Sequence, residues 1–247
     1  MEPFEIVFSE QNRAWAVRAD ETGTPADIVT ALNLPHPTNV FVLSSGAGEM
    51  SAAAQQQLQL LFAALATFLA QRGITVLDGG TAAGGMALLG RSLAKTIHPS
   101  PYVGVLPAYA PVDDDRSGEE ILEPHHTHFV LLEQDEWGSE VPLMSALANF
   151  LAHGAASLTL LVNGGGIALK DVAQSVAAFR PVMVVAGSGR LADEIALAAR
   201  YPALPARDTI RRIVQSGMVS LFDLAHPPAE LLSMVASIFS GRERRRL

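Results

Sequence analysis

From Asn39 onward the chain repeats one pattern: a short apolar or β-branched run, a loop of glycine and other small residues, then an amphipathic segment at helical spacing. The runs are Val40 to Leu43, Ile74 to Leu77, Tyr102 to Leu106, Thr127 to Leu132, Ser157 to Val162 and Pro181 to Val185. Between them, Leu58, Leu61, Phe62, Leu65, Phe68 and Leu69 share one helical face, which Gly73 ends. Leu143, Leu147, Phe150 and Leu151 mark another, with Ser139 as its expected cap. Strands joined through helices run parallel, because a parallel neighbour is reached only by a long crossover. Continuous apolar runs suit strands covered on both faces. The expected fold is therefore α/β, a doubly wound and mainly parallel sheet with helices on both faces.

A single domain over residues 1–247 is expected. It divides into an N-terminal hairpin and helix extension over 1–38, a core over 39–200 and a helical C-terminal part over 201–247. Phe4 to Phe8 and Ala14 to Val17 are the arms of the hairpin. Apolar residues make up 49% of the chain, enough for a full core. The net charge of −8 repels phosphate backbones and argues against a nucleic-acid partner. With no cysteine, the chain has no disulfides, thiolate metal sites, iron–sulfur clusters or cysteine nucleophile. The longest greasy stretch, Leu58 to Ala70, is broken by Gln59 and is shorter than the roughly 20 residues of a membrane span. The first residues, Met-Glu-Pro-Phe-Glu, do not form an export signal, so a cytoplasmic protein with no membrane contact is expected.

Four strands end in small-residue loops that open a helix: Ser44 to Gly48, Gly79 to Gly85, Asn163 to Gly166 and Gly187 to Gly189. In an open parallel sheet such loops meet at the carboxyl edge, where ligands bind. Glycines admit close backbone approach and helix N-termini favour anions, so together the loops read as a phosphate cradle. Each taken singly is also explained as a tight turn. The candidate ligand contacts are Ser45, Gly46, Gly79, Gly80, Thr81, Gly84, Gly164, Gly165, Ser188, Gly189 and Arg190. None of the loops carries a dinucleotide fingerprint, a P-loop or a serine-nucleophile elbow.

Arg190 stands at the start of a helix, where a cation is disfavoured unless an anion is present. It either grips a phosphate or pairs with Asp193 or Glu194. His126 and His128 fall on one side of a strand, and Glu123 or Glu133 would complete a metal set. Bonds from these histidines to backbone or ligand are the commoner reading, and no metal is expected. Glu133 and Asp135 follow a strand at the same edge, where a carboxylate accepts from ribose hydroxyls or is simply solvated. The polar stretch Pro107 to Pro124, with Asp113 to Asp115, reads as a functional or mobile loop, and Arg242 to Arg246 as a frayed helix end. Leu231, Leu232, Val235 and Phe239 either face a second subunit, as a homo-oligomer would require, or pack on the sheet.

Three stretches carry a family resemblance: Leu122-Glu123-Pro124-His125-His126-Thr127-His128-Phe129-Val130-Leu131, Glu140-Val141-Pro142-Leu143, and Val184-Val185-Ala186-Gly187-Ser188-Gly189-Arg190-Leu191-Ala192-Asp193. They resemble the cytosolic N-terminal domain of melastatin-type TRP channels, a member of the SLOG superfamily, whose stand-alone bacterial members form the prokaryotic LSDAT type. The resemblance implies a Rossmann-like fold that senses a nucleotide-derived ligand such as ADP-ribose or NAD and requires no cofactor. By that resemblance Arg190 is the arginine beside the ligand phosphates, while Met144 stands where ADP-ribose-binding channels carry arginine. Asn163 to Asp171 also resembles the signature of the cytokinin-activating phosphoribohydrolases, with Ile167 and Ala168 in place of glycine and threonine. That second likeness implies a nucleotide N-glycosidase in which Asp171 is the catalytic carboxylate.

Overall fold

The computed structural model describes residues 1–20, 22–46, 50–97, 100–108, 122–134 and 136–240. The loop expected around Asp113 to Asp115, residue Asp135 and the Arg242 to Arg246 tract lie outside the described residues.

The strands are β1 (Phe4–Val7), β2 (Arg13–Ala19), β3 (Val40–Ser45), β4 (Thr75–Asp78), β5 (Tyr102–Pro107), β6 (His128–Leu132), β7 (Ser157–Val162), β8 (Val182–Ala186) and β9 (Val219–Asp223). The helices are α1 (Pro25–Ala31), α2 (Ala52–Gln71), α3 (Gly84–Leu93), α4 (Val141–Ala152), α5 (Gly166–Ala177), α6 (Arg190–Arg200), α7 (Asp208–Gln215) and α8 (Pro228–Ser240). One sheet carries all nine strands in the order β1-β2-β6-β5-β4-β3-β7-β8-β9, with only β1 antiparallel to its neighbour. The expected α/β class is therefore the observed one.

Alternation along each strand divides the core between the two faces. Phe41 and Leu43 point to one side, where they pack with residues of α2, α3 and α8. Val40 and Val42 point to the other, against α1 and α4, while Leu161, Val182 and Val184 meet α5, α6 and α7 on that same side. The chain winds from β3 towards β5 with helices on one face, then from β7 towards β9 with helices mainly on the other. Right-handed crossovers require that exchange of faces when the direction of winding reverses.

Two local expectations need correction, and one open alternative is decided. The C-terminal part is not purely helical, because β9 adds an edge strand between α7 and α8. Ser139 does not cap α4; Glu140 occupies that position without a side-chain cap bond, and its carboxylate instead accepts from the Gly138 N–H at 2.7 Å. Leu231, Val235 and Phe239 are buried in the core, with Leu232 packed against it, so these residues offer no free face to a second subunit. No helix among the described residues is long and apolar enough to cross a membrane.

Candidate functional site

The strand order reverses between β3 and β7, whose carboxyl ends therefore diverge into loops that leave on opposite faces of the sheet. This is the topological switch point of an open α/β sheet, where a crevice is a consequence of connectivity alone. A cavity of about 590 Å³ lies there. Its polar wall includes Ser45, Gly46, Gly79, Thr81, Gly165, Asp171 and Arg190, and its apolar wall includes Leu43, Met86, Trp137, Met144 and Ile167.

Backbone packs so tightly at this edge that side chains are excluded. A Cβ on Gly46 would lie 3.0 Å from the Cα of Gly164, itself at φ +91. The β8–α6 turn is clamped to the β7–α5 turn by four bonds. Ser188 Oγ accepts from the Asn163 N–H at 2.8 Å, and Asn163 Nδ2 donates to the Ser188 carbonyl at 3.0 Å. The N–H groups of Leu191 and Ala192 donate to the carbonyls of Gly164 and Asn163. These last two bonds take the Leu191 and Ala192 N–H groups at the head of α6. The first turn of α5 is different. Gly165 caps it without a side-chain bond, and Gly165, Gly166, Ile167 and Ala168 all line the cavity.

The clamp forces Arg190 into the left-handed region at φ +48, an uncommon backbone for a residue with a side chain. Its guanidinium folds over Gly165, where a Cβ would come within 3.0 Å of Nη2. Both acids proposed as its partners are occupied elsewhere: Asp193 accepts from the Gly187 N–H at 2.6 Å, and Glu194 pairs with Arg207 at 2.7 Å. Among the described residues the Arg190 guanidinium has no acceptor. It and the uncapped head of α5 present one positive corner to the cavity.

Two carboxyl groups oppose this charge. Asp171 is buried, with Oδ2 accepting from Ser44 Oγ at 3.0 Å and Oδ1 without a partner among the described residues. Burial pushes its carboxyl up to about 7, a rise that Glu140 reinforces and the Ser44 hydroxyl and Arg180 oppose. Glu140, also buried on the cavity wall, is raised by burial as well. A carboxyl that holds its proton near neutrality can act as donor or acceptor.

Behind the Gly79–Thr81 turn lies a buried ionic network. His126 stands between two carboxylates, donating from Nε2 to Asp78 at 2.9 Å and from Nδ1 to Glu123 at 3.0 Å. Tyr102 stacks on the imidazole at 3.6 Å between centroids and donates its hydroxyl to Asp78. Burial alone would lower His126, but the two carboxylates outweigh it and raise the imidazole to about 9. Asp78 in turn accepts from the Gly80 N–H at 2.7 Å, so the network sets the shape of the turn beneath the cavity.

The structure thus brings Ser45, Gly46, Gly79, Thr81, Gly165, Asp171 and Arg190 to one cavity wall. Gly80, Gly84, Gly164, Ser188 and Gly189 shape the surrounding turns without lining it. His126 belongs to the buried network. His128 sits apart from it, bonded to Thr127, and burial lowers its imidazole to about 4. Glu133 is exposed and away from the cavity. Sequence reading did not assign Trp137 or Glu140 a place in the cavity, although Glu140 heads one of the motifs quoted for the family resemblance.

The family model described as "SLOG in TRPM, prokaryote" matches residues 38–233. The chain belongs to this family. Among curated relatives, this SLOG protein is 28% identical over 140 residues to the rat transient receptor potential cation channel subfamily M member 2, and 29% identical over 120 residues to the mouse protein. Those matches span 51% and 43% of this chain but only 9% and 8% of the channels. Among solved structures, the X-ray structure of TM1055 superposes with a TM-score of 0.54 at 19% identity, covering 81% of this chain and 99% of the other. At that identity the likeness concerns the fold alone.

Proposed function

We propose that this SLOG protein is a cytoplasmic sensing module that binds a nucleotide-derived ligand of the ADP-ribose or NAD type at the β3–β7 switch point. Arg190 and the head of α5 receive the phosphates, and the apolar wall around Met86 and Trp137 receives a base. The observation that carries this reading is the Arg190 guanidinium, held over Gly165 without an acid partner among the described residues. Removing a charge-assisted bidentate contact costs about 1.5–3 kcal/mol. Calorimetric titration with ADP-ribose and AMP should therefore show Arg190→Ala weakening affinity about 10- to 150-fold. Arg190→Lys should recover only part, since an ammonium lacks the paired donors. Thermal melts of both variants should match wild type, because no described ion pair is lost. Unchanged affinity in the alanine variant would move the ligand elsewhere.

A second reading, hydrolysis of the N-glycosidic bond of a nucleoside monophosphate, is favoured by one observation: Glu140 places a second carboxyl in the cavity with Asp171. In that reaction water adds across the C1′–N bond; one carboxyl gives a proton to the departing base and the other takes one from water. Ile167 and Ala168 weigh against it, because they remove the glycine–threonine pair of the hydrolase signature. Chromatography of AMP incubated with the protein should show no free adenine above background. Adenine released by wild type and lost in Asp171→Asn would establish the enzyme instead.

A further inference from the structure

One acceptor on the cavity wall has no donor among the described residues. Asp171 Oδ1 is buried and has no hydrogen-bond donor among the described residues, whereas Oδ2 has a single donor, Ser44. Glu140 adds a second carboxyl to the same cavity, with one oxygen fixed by the Gly138 N–H. A buried carboxylate lacking donors is an unfavourable arrangement that a bound molecule with donors relieves. Among the described residues no group of three or more acidic or histidine side chains is placed to hold a metal ion.

The position of the acceptor identifies the kind of donor. Asp171 lies five residues beyond Gly166 on α5, about 7.5 Å along the helix from the uncapped end over which Arg190 folds. That spacing is comparable with the reach from the phosphorus of a ribose 5-phosphate to its 2′- and 3′-hydroxyls. Hydroxyls are neutral donors, so they satisfy a carboxyl without adding to the positive corner.

We propose that Asp171, assisted by Glu140, accepts from the 2′- and 3′-hydroxyls of the ligand's ribose, so that the cavity selects ribonucleotides over their deoxy analogues. This rests on the reading of Arg190 as the phosphate contact. It also moves the ribose acceptor from Glu133, which is exposed and away from the cavity, to a residue on the adjoining helix.

The test is calorimetric titration of AMP, 2′-deoxy-AMP and 2′,3′-dideoxy-AMP into wild type, Asp171→Asn, Glu140→Gln and Arg190→Ala, with a melt of each protein to establish folding. Wild type should prefer AMP to the dideoxy compound by about tenfold, the effect of one to two hydrogen bonds. In Asp171→Asn that preference should fall to within about threefold while affinity for the dideoxy compound is kept, and Glu140→Gln should give a smaller change in the same direction. Equal affinities for AMP and the dideoxy compound in wild type, with both still lost in Arg190→Ala, would overturn this proposal alone. A preference undiminished in both carboxyl variants would also overturn it. Binding of none of the three compounds would remove the phosphate reading together with it.

Discussion

Replacing His126 with alanine is expected to lower the stability of the fold by about 3–5 kcal/mol at neutral pH. The imidazole and the Asp78 side chain are fully buried and Glu123 is nearly so; Glu123 also pairs with the half-buried His125, but no other described cation touches Asp78. Alanine leaves two acids in a low-dielectric site with their shared counter-charge gone. The pH dependence provides a second reading of the same network. His126 is raised from 6.5 to about 9 in the fold, so its contribution is complete below pH 6.5 and is lost as pH rises through 9. Urea midpoints measured from pH 6 to pH 10 should fall along that limb in wild type and remain flatter in His126→Gln. A loss below about 1 kcal/mol in the alanine variant would mean that the carboxylates are neutralised some other way.

Asp171 should show the same sign at lower pH. Its carboxyl rises from 3.8 in an ordinary setting to about 7 in the fold, so the native state binds the proton more tightly than the unfolded chain. Stability linked to this group is complete below about pH 3.8 and is lost as pH rises through 7, in total about 4 kcal/mol. Asp171→Asn has no charge to bury and can keep the contact with Ser44. Its advantage over wild type should therefore grow by about 3 kcal/mol between pH 5 and pH 8, read from denaturant unfolding of the two proteins side by side. A constant difference across that range would mean that the carboxylate is solvated in the native state. The expected gain has a functional counterpart: a group that destabilises the empty protein yet faces the cavity is the kind of residue kept for a ligand.

The alternation of apolar runs and small-residue loops made the sheet and its helices legible because buried parallel strands leave an unbroken apolar trace. Val219–Asp223 escaped that logic. It is an edge strand with only Phe222 fully buried, and it follows Gly217, so its pattern is weak. At the site, sequence could not separate adjacent glycines with different tasks. Gly79 lines the cavity, whereas Gly80 at φ +69 turns inward against Gly104, where a Cβ would meet the Gly104 Cα at 3.1 Å. Ser188 looked like a ligand donor, but its hydroxyl is spent holding two turns together. Glu140 and Trp137 were hidden for another reason. They precede α4, and only the crossover from β6 to β7 carries the start of that helix to the cavity.

The β3–β7 seam also bears on how the protein comes into being. Ser44 and Asp171 are bonded across 127 positions of sequence, and Gly46 rests on Gly164. During synthesis the early strands can form their local crossovers, but the cavity has only one of its walls until β7 and α5 have been made and threaded beside β3. Such a non-local closure carries an entropic cost that local helix–strand units do not, and it favours slow assembly. A ligand that touches both walls would act as a clasp on this seam, slowing its reopening and marking chains in which the two halves have met.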